Sequence, residues 1–194
     1  MKRLVLLLLL FCAEAARAHA ERMHGGGFVQ GFLHPFTGGD HLLAMVSVGM
    51  WGAVLGAPLV WALPVAFPLM MVFGALAALA GLPLPAVEAG VALSVVALGA
   101  CVAAHWRAPV PVALLVVGFF GFLHGYAHGS ELPESASPAA YASGFVLASG
   151  LLHAIGIAIG LLREVPRGDA VLRGLGAMAG AAGLWMLVGR VAFS

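Results

Sequence analysis

From Phe28 to Val191 the chain is a succession of apolar stretches that carry too little charge to present a water-facing surface. Charged residues are 9% of the 194 and apolar ones 62%, with a mean hydropathy of +1.06, whereas a soluble domain carries about 25% charged residues. The balance is that of a polytopic membrane protein. Proline, glycine and charge divide it into six segments, roughly Phe28 to Leu55, Leu59 to Leu79, Ala86 to Ala104, Val110 to Ser130, Ala139 to Leu162 and Ala170 to Val191. The expected fold is all-α: one domain, a six-helix transmembrane bundle, with short connections that make sequence neighbours antiparallel neighbours in space. A net charge of +1 gives no basic field for nucleic acid, and no block of like charges forms a tail.

Residues 1–18 read as a cleaved signal peptide rather than a span. Lys2 and Arg3 precede the nine apolar residues Leu4 to Cys12, and Ala16-Arg17-Ala18 is a small-x-small cleavage site. Ala18-His19-Ala20 fits the same rule, so the mature chain, residues 19–194, begins at His19 or Glu21. Cys101 is then the only thiol left, and a lone cysteine in an apolar helix packs as a small hydrophobe. Cleavage leaves the mature N-terminus outside, and six spans return the C-terminus there. Arg107, Arg163, Arg167 and Arg173 fall in the inside loops, whereas the outside loop from Glu131 to Pro138 carries two acids and no base. That is the positive-inside pattern.

Two polar stretches interrupt this apolar background on the outer side. Gly31 to His41 holds His34, Asp40 and His41; Gly121 to Glu131 holds His124, His128 and Glu131. Ionisable groups inside a bilayer cost roughly 2.5 to 3.5 kcal/mol each on insertion scales, so such clusters mark functional sites. Imidazole nitrogen with carboxylate oxygen is the donor set of nickel, cobalt or zinc. His124, His128 and Glu131, at i, i+4 and i+7, share one helix face, beside Gly125 and Gly129, which admit a neighbouring helix. In the first stretch Pro35, Gly38 and Gly39 argue against a regular helix, so His34 and Asp40-His41 are expected to flank a bent or unwound turn. Although both stretches contain Gly-Phe-Leu-His, the apolar run follows one and precedes the other, which does not match an inverted repeat. His153 and His105, taken singly, read as interhelical hydrogen-bond partners. Glu88, near the outer end of the third segment, reads equally as an exposed acid or a pathway group.

At these residues the chain resembles the HupE/UreJ family of nickel and cobalt permeases. Its first signature, His, five residues, then Asp-His, is met by His34, Asp40 and His41. The second, Phe-x-His-Gly-x-Ala-His-Gly-x-Glu, is met by Phe122, His124, Gly125, Ala127, His128, Gly129 and Glu131. The resemblance extends to the signal, the six spans, Glu88 in the third and Leu152, His153 and Gly156 in the fifth. It implies a non-enzymatic permease of the bacterial inner membrane, with both mature termini periplasmic. The cargo would be Ni2+, or Co2+, bound by His34, Asp40, His41, His124, His128 and Glu131, with His153, Glu88 and His24 along the path. No prosthetic group is implied. Partners would be the metal ion and the lipid bilayer, with an indirect link to hydrogenase or urease maturation.

Energetics agree with a permease that lacks an engine. The only lysine is Lys2, in the signal, so the mature chain has no Gly-Lys-Ser/Thr phosphate loop. Three alternatives compete. A desaturase-like metalloenzyme would need more histidines in cytoplasmic boxes, and a zinc protease His-Glu-x-x-His, which is absent. A haem-binding anchor would need axial histidines on facing helices, a role His124 and His153 could fill.

Overall fold

The computed structural model describes residues 27–130 and 137–192, all of whose regular structure is helical. Residues 1–18, expected to be a signal peptide, and His24 and Glu131 lie outside the described residues. The helices are α1 (Gly27–Thr37), α2 (Gly39–Leu55), α3 (Leu59–Leu79), α4 (Val87–Ala103), α5 (Val110–Ser130), α6 (Pro138–Gly160), a 3-10 turn (Leu161–Glu164) and α7 (Gly168–Ala192). Among them α3, α5, α6 with its 3-10 turn, and α7 are long and apolar enough to cross a membrane, while α2 and α4 are shorter apolar helices. At 1.5 Å per residue the 17 residues of α2 rise about 25 Å.

The first apolar segment divides into two helices, and the break is narrower than its composition suggests. Pro35 lies inside α1, which continues to Thr37, and only Gly38 is extended (φ −92°, ψ 112°) before α2 begins. Thr37 Oγ1 donates to His34 O at 2.8 Å, occupying one of the carbonyls left open at the helix end. His34 and Asp40-His41 therefore flank an interruption of one residue, and α1 and α2 both lie along α6.

Close packing joins helices that are not consecutive, which corrects the expected arrangement. The tight pairs are α3 with α5, α4 with α7, and α2 with α6. The reason lies in the glycines: a Cβ on Gly121 would meet the backbone of Phe67, on Gly125 that of Met71, and on Gly129 that of Ala75. The constant offset makes α3 and α5 parallel. Gly156 meets Val46 and Gly49 while Gly160 meets Met50 and Ala53, so α2 and α6 are parallel too. Gly176 meets Ala103 and Gly183 meets Val96, which makes α4 and α7 antiparallel. Lipid tails are as apolar as leucine, so association rests on such backbone approach and van der Waals contact.

The outward faces remain apolar. Trp61, Val65, Leu69 and Phe73 on α3, and Met178, Leu184 and Trp185 on α7, are exposed, a surface suited to lipid rather than water. The core holds Met45, Trp51, Leu63, Phe67 and Leu98, and Trp51 Nε1 donates to Trp106 O at 2.9 Å. Met45, one turn after His41, is fully buried packing, and Cys101 is a buried free thiol.

Candidate metal site

Asp40 organises the start of α2. A helix N-terminus leaves backbone N–H groups unpaired, and a carboxylate in the first turn answers both their hydrogen bonds and the dipole. Asp40 Oδ1 accepts the His41 backbone N–H at 2.8 Å and lies 3.0 Å from His41 Nδ1. A carboxylate only accepts, so Nδ1 carries a proton, and in the neutral ring the lone pair is on Nε2, which is buried with no protein partner. Asp40 Oδ2 takes the guanidinium of Arg190, from the last turns of α7, at 2.5 Å.

α5 supplies the facing imidazoles. His124 and His128 are one turn apart and buried, because the neighbouring Gly125 and Gly129 bring α5 against α3. The ring of His41 lies 4.4 Å from that of His124 and 4.1 Å from that of His128, centroid to centroid. His34 of α1 stands edge-on to His128 at 4.7 Å. Ser94 of α4 orients His124: its hydroxyl donates to Val91 O at 2.6 Å and lies 2.7 Å from His124 Nε2. With one hydroxyl proton committed to the carbonyl, Ser94 accepts from Nε2–H, so the lone pair of His124 is on Nδ1. Nδ1 of His124 and both ring nitrogens of His128 are buried without partners.

Three helices, α1, α2 and α5, thus bring together His34, Asp40, His41, His124 and His128, two imidazoles from each polar stretch of the sequence plus the Asp40 carboxylate. The helix admitted by Gly125 and Gly129, α3, gives no ligand there; the other donors come from α1 and α2. Among the described residues no group of three or more His, Cys, Asp or Glu is arranged to hold one ion, so the rings adjoin without their donor atoms converging. A crevice of about 210 Å3 between α3, α5 and α6 reaches His128 among apolar residues such as Met71, Leu76 and Phe145.

The remaining candidates separate. His153 of α6 is 1% exposed with neither nitrogen partnered, so it is not the interhelical hydrogen-bond partner that a lone membrane histidine suggests. It is held apart from the cluster by Phe67, whose ring is 5.4 Å from His124 and 5.7 Å from His153. Glu88, in the first turn of α4, is at the rim and pairs with Arg190 at 3.1 Å. His105 is at the opposite end, 3.8 Å from Asp169, beside a polar cavity of about 330 Å3 lined also by Arg107, Arg163 and Glu164. Arg173 donates to Ala103 O at that same end.

Sequence reasoning missed Arg190, Ser94 and Phe67. Arg190 had a signal: it closes the last apolar segment and is the one charged side chain after Arg173. Ser94 and Phe67 had none, since a serine or phenylalanine in an apolar helix is ordinary packing material.

Apolar helices with lipid-suited outer faces and an interior of buried imidazoles define a polytopic membrane protein with a polar interior site. A family model described as HupE / UreJ protein matches residues 6–186, and the chain belongs to the HupE/UreJ family. This is a transporter family, associated with nickel and cobalt transport. The chain is 41% identical over 183 residues to Protein HupE of Rhizobium leguminosarum bv. viciae, covering 94% of this chain and 95% of that protein. No solved structure matches.

Proposed function

We propose that the protein is a permease carrying divalent transition-metal ions, Ni2+ foremost and Co2+ next, from periplasm to cytoplasm. The observation that carries this reading is the set of buried imidazole nitrogens without partners: Nε2 of His41, Nδ1 of His124 and both nitrogens of His128. An unsatisfied buried polar group costs about 1–3 kcal/mol, and a cation that accepts lone pairs removes that cost at each ligating nitrogen. His34, Asp40, His41, His124, His128 and Glu131 form the outer capture site, the rings turning to converge on the ion. The path inward passes Phe67, whose ring must swing aside, and reaches His153. Glu88 and His24 gather ions at the entrance.

The family context extends the reading to a residue 1–18 signal, a mature 19–194 domain of six spans in the inner membrane, and nickel supply for hydrogenase or urease. A membrane potential of about 100 mV, negative inside, contributes roughly 4.6 kcal/mol to a divalent cation's entry, a concentration ratio on the order of a thousand. No other energy source is required. Rings 4.1–4.7 Å apart leave no room for a macrocycle between them, and Phe67 fills the space between His124 and His153, which disfavours the haem anchor. Nickel accumulation by expressing cells tests the proposal: it should exceed that of cells lacking the protein and disappear in His128→Ala at equal membrane level. Equal accumulation with and without the protein would refute it.

A further inference from the structure

Arg190 sits where a cation permease would least be expected to keep a positive charge. From the last turns of α7 its guanidinium reaches two other helices: it pairs with Asp40 Oδ2 of α2 at 2.5 Å and with Glu88 Oε2 of α4 at 3.1 Å, and it donates to the Glu88 carbonyl at 2.5 Å. Asp40 is the carboxylate that orients His41, and its side chain is only 13% exposed. Both described acids at this end are therefore engaged by one cation that belongs to the protein.

We infer that Arg190 is a built-in counter-cation that competes with the transported ion for Asp40 and so sets the affinity of the capture site. The inference rests on the permease reading and deepens it. With the ion absent, Arg190 neutralises Asp40 and keeps its carboxylate from repelling Glu88. An arriving divalent ion near His41 meets a carboxylate already paired, so loading requires the guanidinium to give up Oδ2. The tie to the Glu88 carboxylate and carbonyl gives the guanidinium a place to remain when it does so. Unloading runs in reverse, with Arg190 reclaiming Asp40 as the ion moves inward. The competition keeps binding weak enough for release, a requirement of any pathway that conducts. Arginine suits the role better than lysine because its planar fork holds two acceptors at once and never deprotonates.

Arg190→Gln tests this, with the full-length protein in liposomes and initial Ni2+ uptake measured against concentration. Removing the competitor for Asp40 lowers the expected KM on the order of fivefold, or about 1 kcal/mol, with a lower maximal rate because release slows. A merely structural role would raise KM or leave it unchanged, and either result would overturn the inference. Arg190→Lys, which retains the charge but not the fork, should fall between the two and provides the same test where the glutamine variant does not insert; a KM equal to or above wild type would again refute it. Equilibrium Ni2+ binding adds a coupling test: in an Asp40→Asn background, Arg190→Gln should no longer tighten binding, and undiminished tightening would show that Arg190 acts elsewhere. The absence of wild-type uptake would instead refute the permease reading itself, so the two failures are distinguishable.

Discussion

His41 illustrates how one residue acquires a function from its neighbours. Alone it is an imidazole near a helix start; with Asp40 on Nδ1 it presents a lone pair at Nε2, and Arg190 holds Asp40 in turn. Outer partners of this kind fix ring orientation and commonly account for 10- to 100-fold in metal affinity. His41→Ala or His128→Ala should therefore abolish most Ni2+ uptake at unchanged membrane level, whereas Ser94→Ala, which frees the His124 ring, should weaken binding about tenfold. Uptake kinetics on membrane-normalised cells measure both. The site also implies a pH dependence. Ligating imidazoles must be neutral, and free imidazole titrates near about 6.5, so protons and metal compete for the same lone pairs. Uptake should fall as external pH drops from about 7.5 to about 5.5, and a steady rise over that range would contradict passive entry through this site.

The helices are tied by their glycines, and substitutions there separate packing from chemistry. A side chain at Gly125 would run into the backbone of Met71, whereas one at Gly150 meets nothing within 4 Å. Gly125→Leu should lower the thermal midpoint of the detergent-solubilised protein, with overpacking costs of about 1–3 kcal/mol or more, and Gly150→Ala should leave it unchanged. Much of the element structure was legible in the sequence: Leu59–Leu79 and Val110–Ser130 are helices with the bounds that punctuation gave them. Pro35 misled because a proline forfeits one hydrogen bond without ending a helix held along α6; the extended residue is Gly38 instead. Helix pairing was not legible as a whole, since uniformly apolar helices carry no polar face to orient them and glycines occur on several sides. Of the site, the motifs supplied His34, Asp40, His41, His124 and His128, but the orienting roles of Ser94 and Arg190 depend on contacts across 30 and 150 residues of sequence.

At the scale of the molecule, chemistry segregates to two ends. One holds the imidazole cluster with Asp40, Glu88 and Arg190; the other holds His105, Arg107, Arg163, Arg173 and Asp169. If the arginine-rich end is cytoplasmic, a cysteine at the exposed Ser137 should react in intact cells with a membrane-impermeant thiol reagent, and one at the exposed Val165 should not, Cys101 having first been replaced. The reverse labelling pattern would turn the capture site toward the cytoplasm. The central claim is that the imidazole cluster passes a divalent cation down the membrane potential, and ion flux into liposomes carrying the purified protein measures that directly. The account predicts Ni2+ entry that increases with an imposed inside-negative potential and is lost in His41→Ala and His128→Ala; equal entry through wild type and both variants, or none through the wild type, would contradict it.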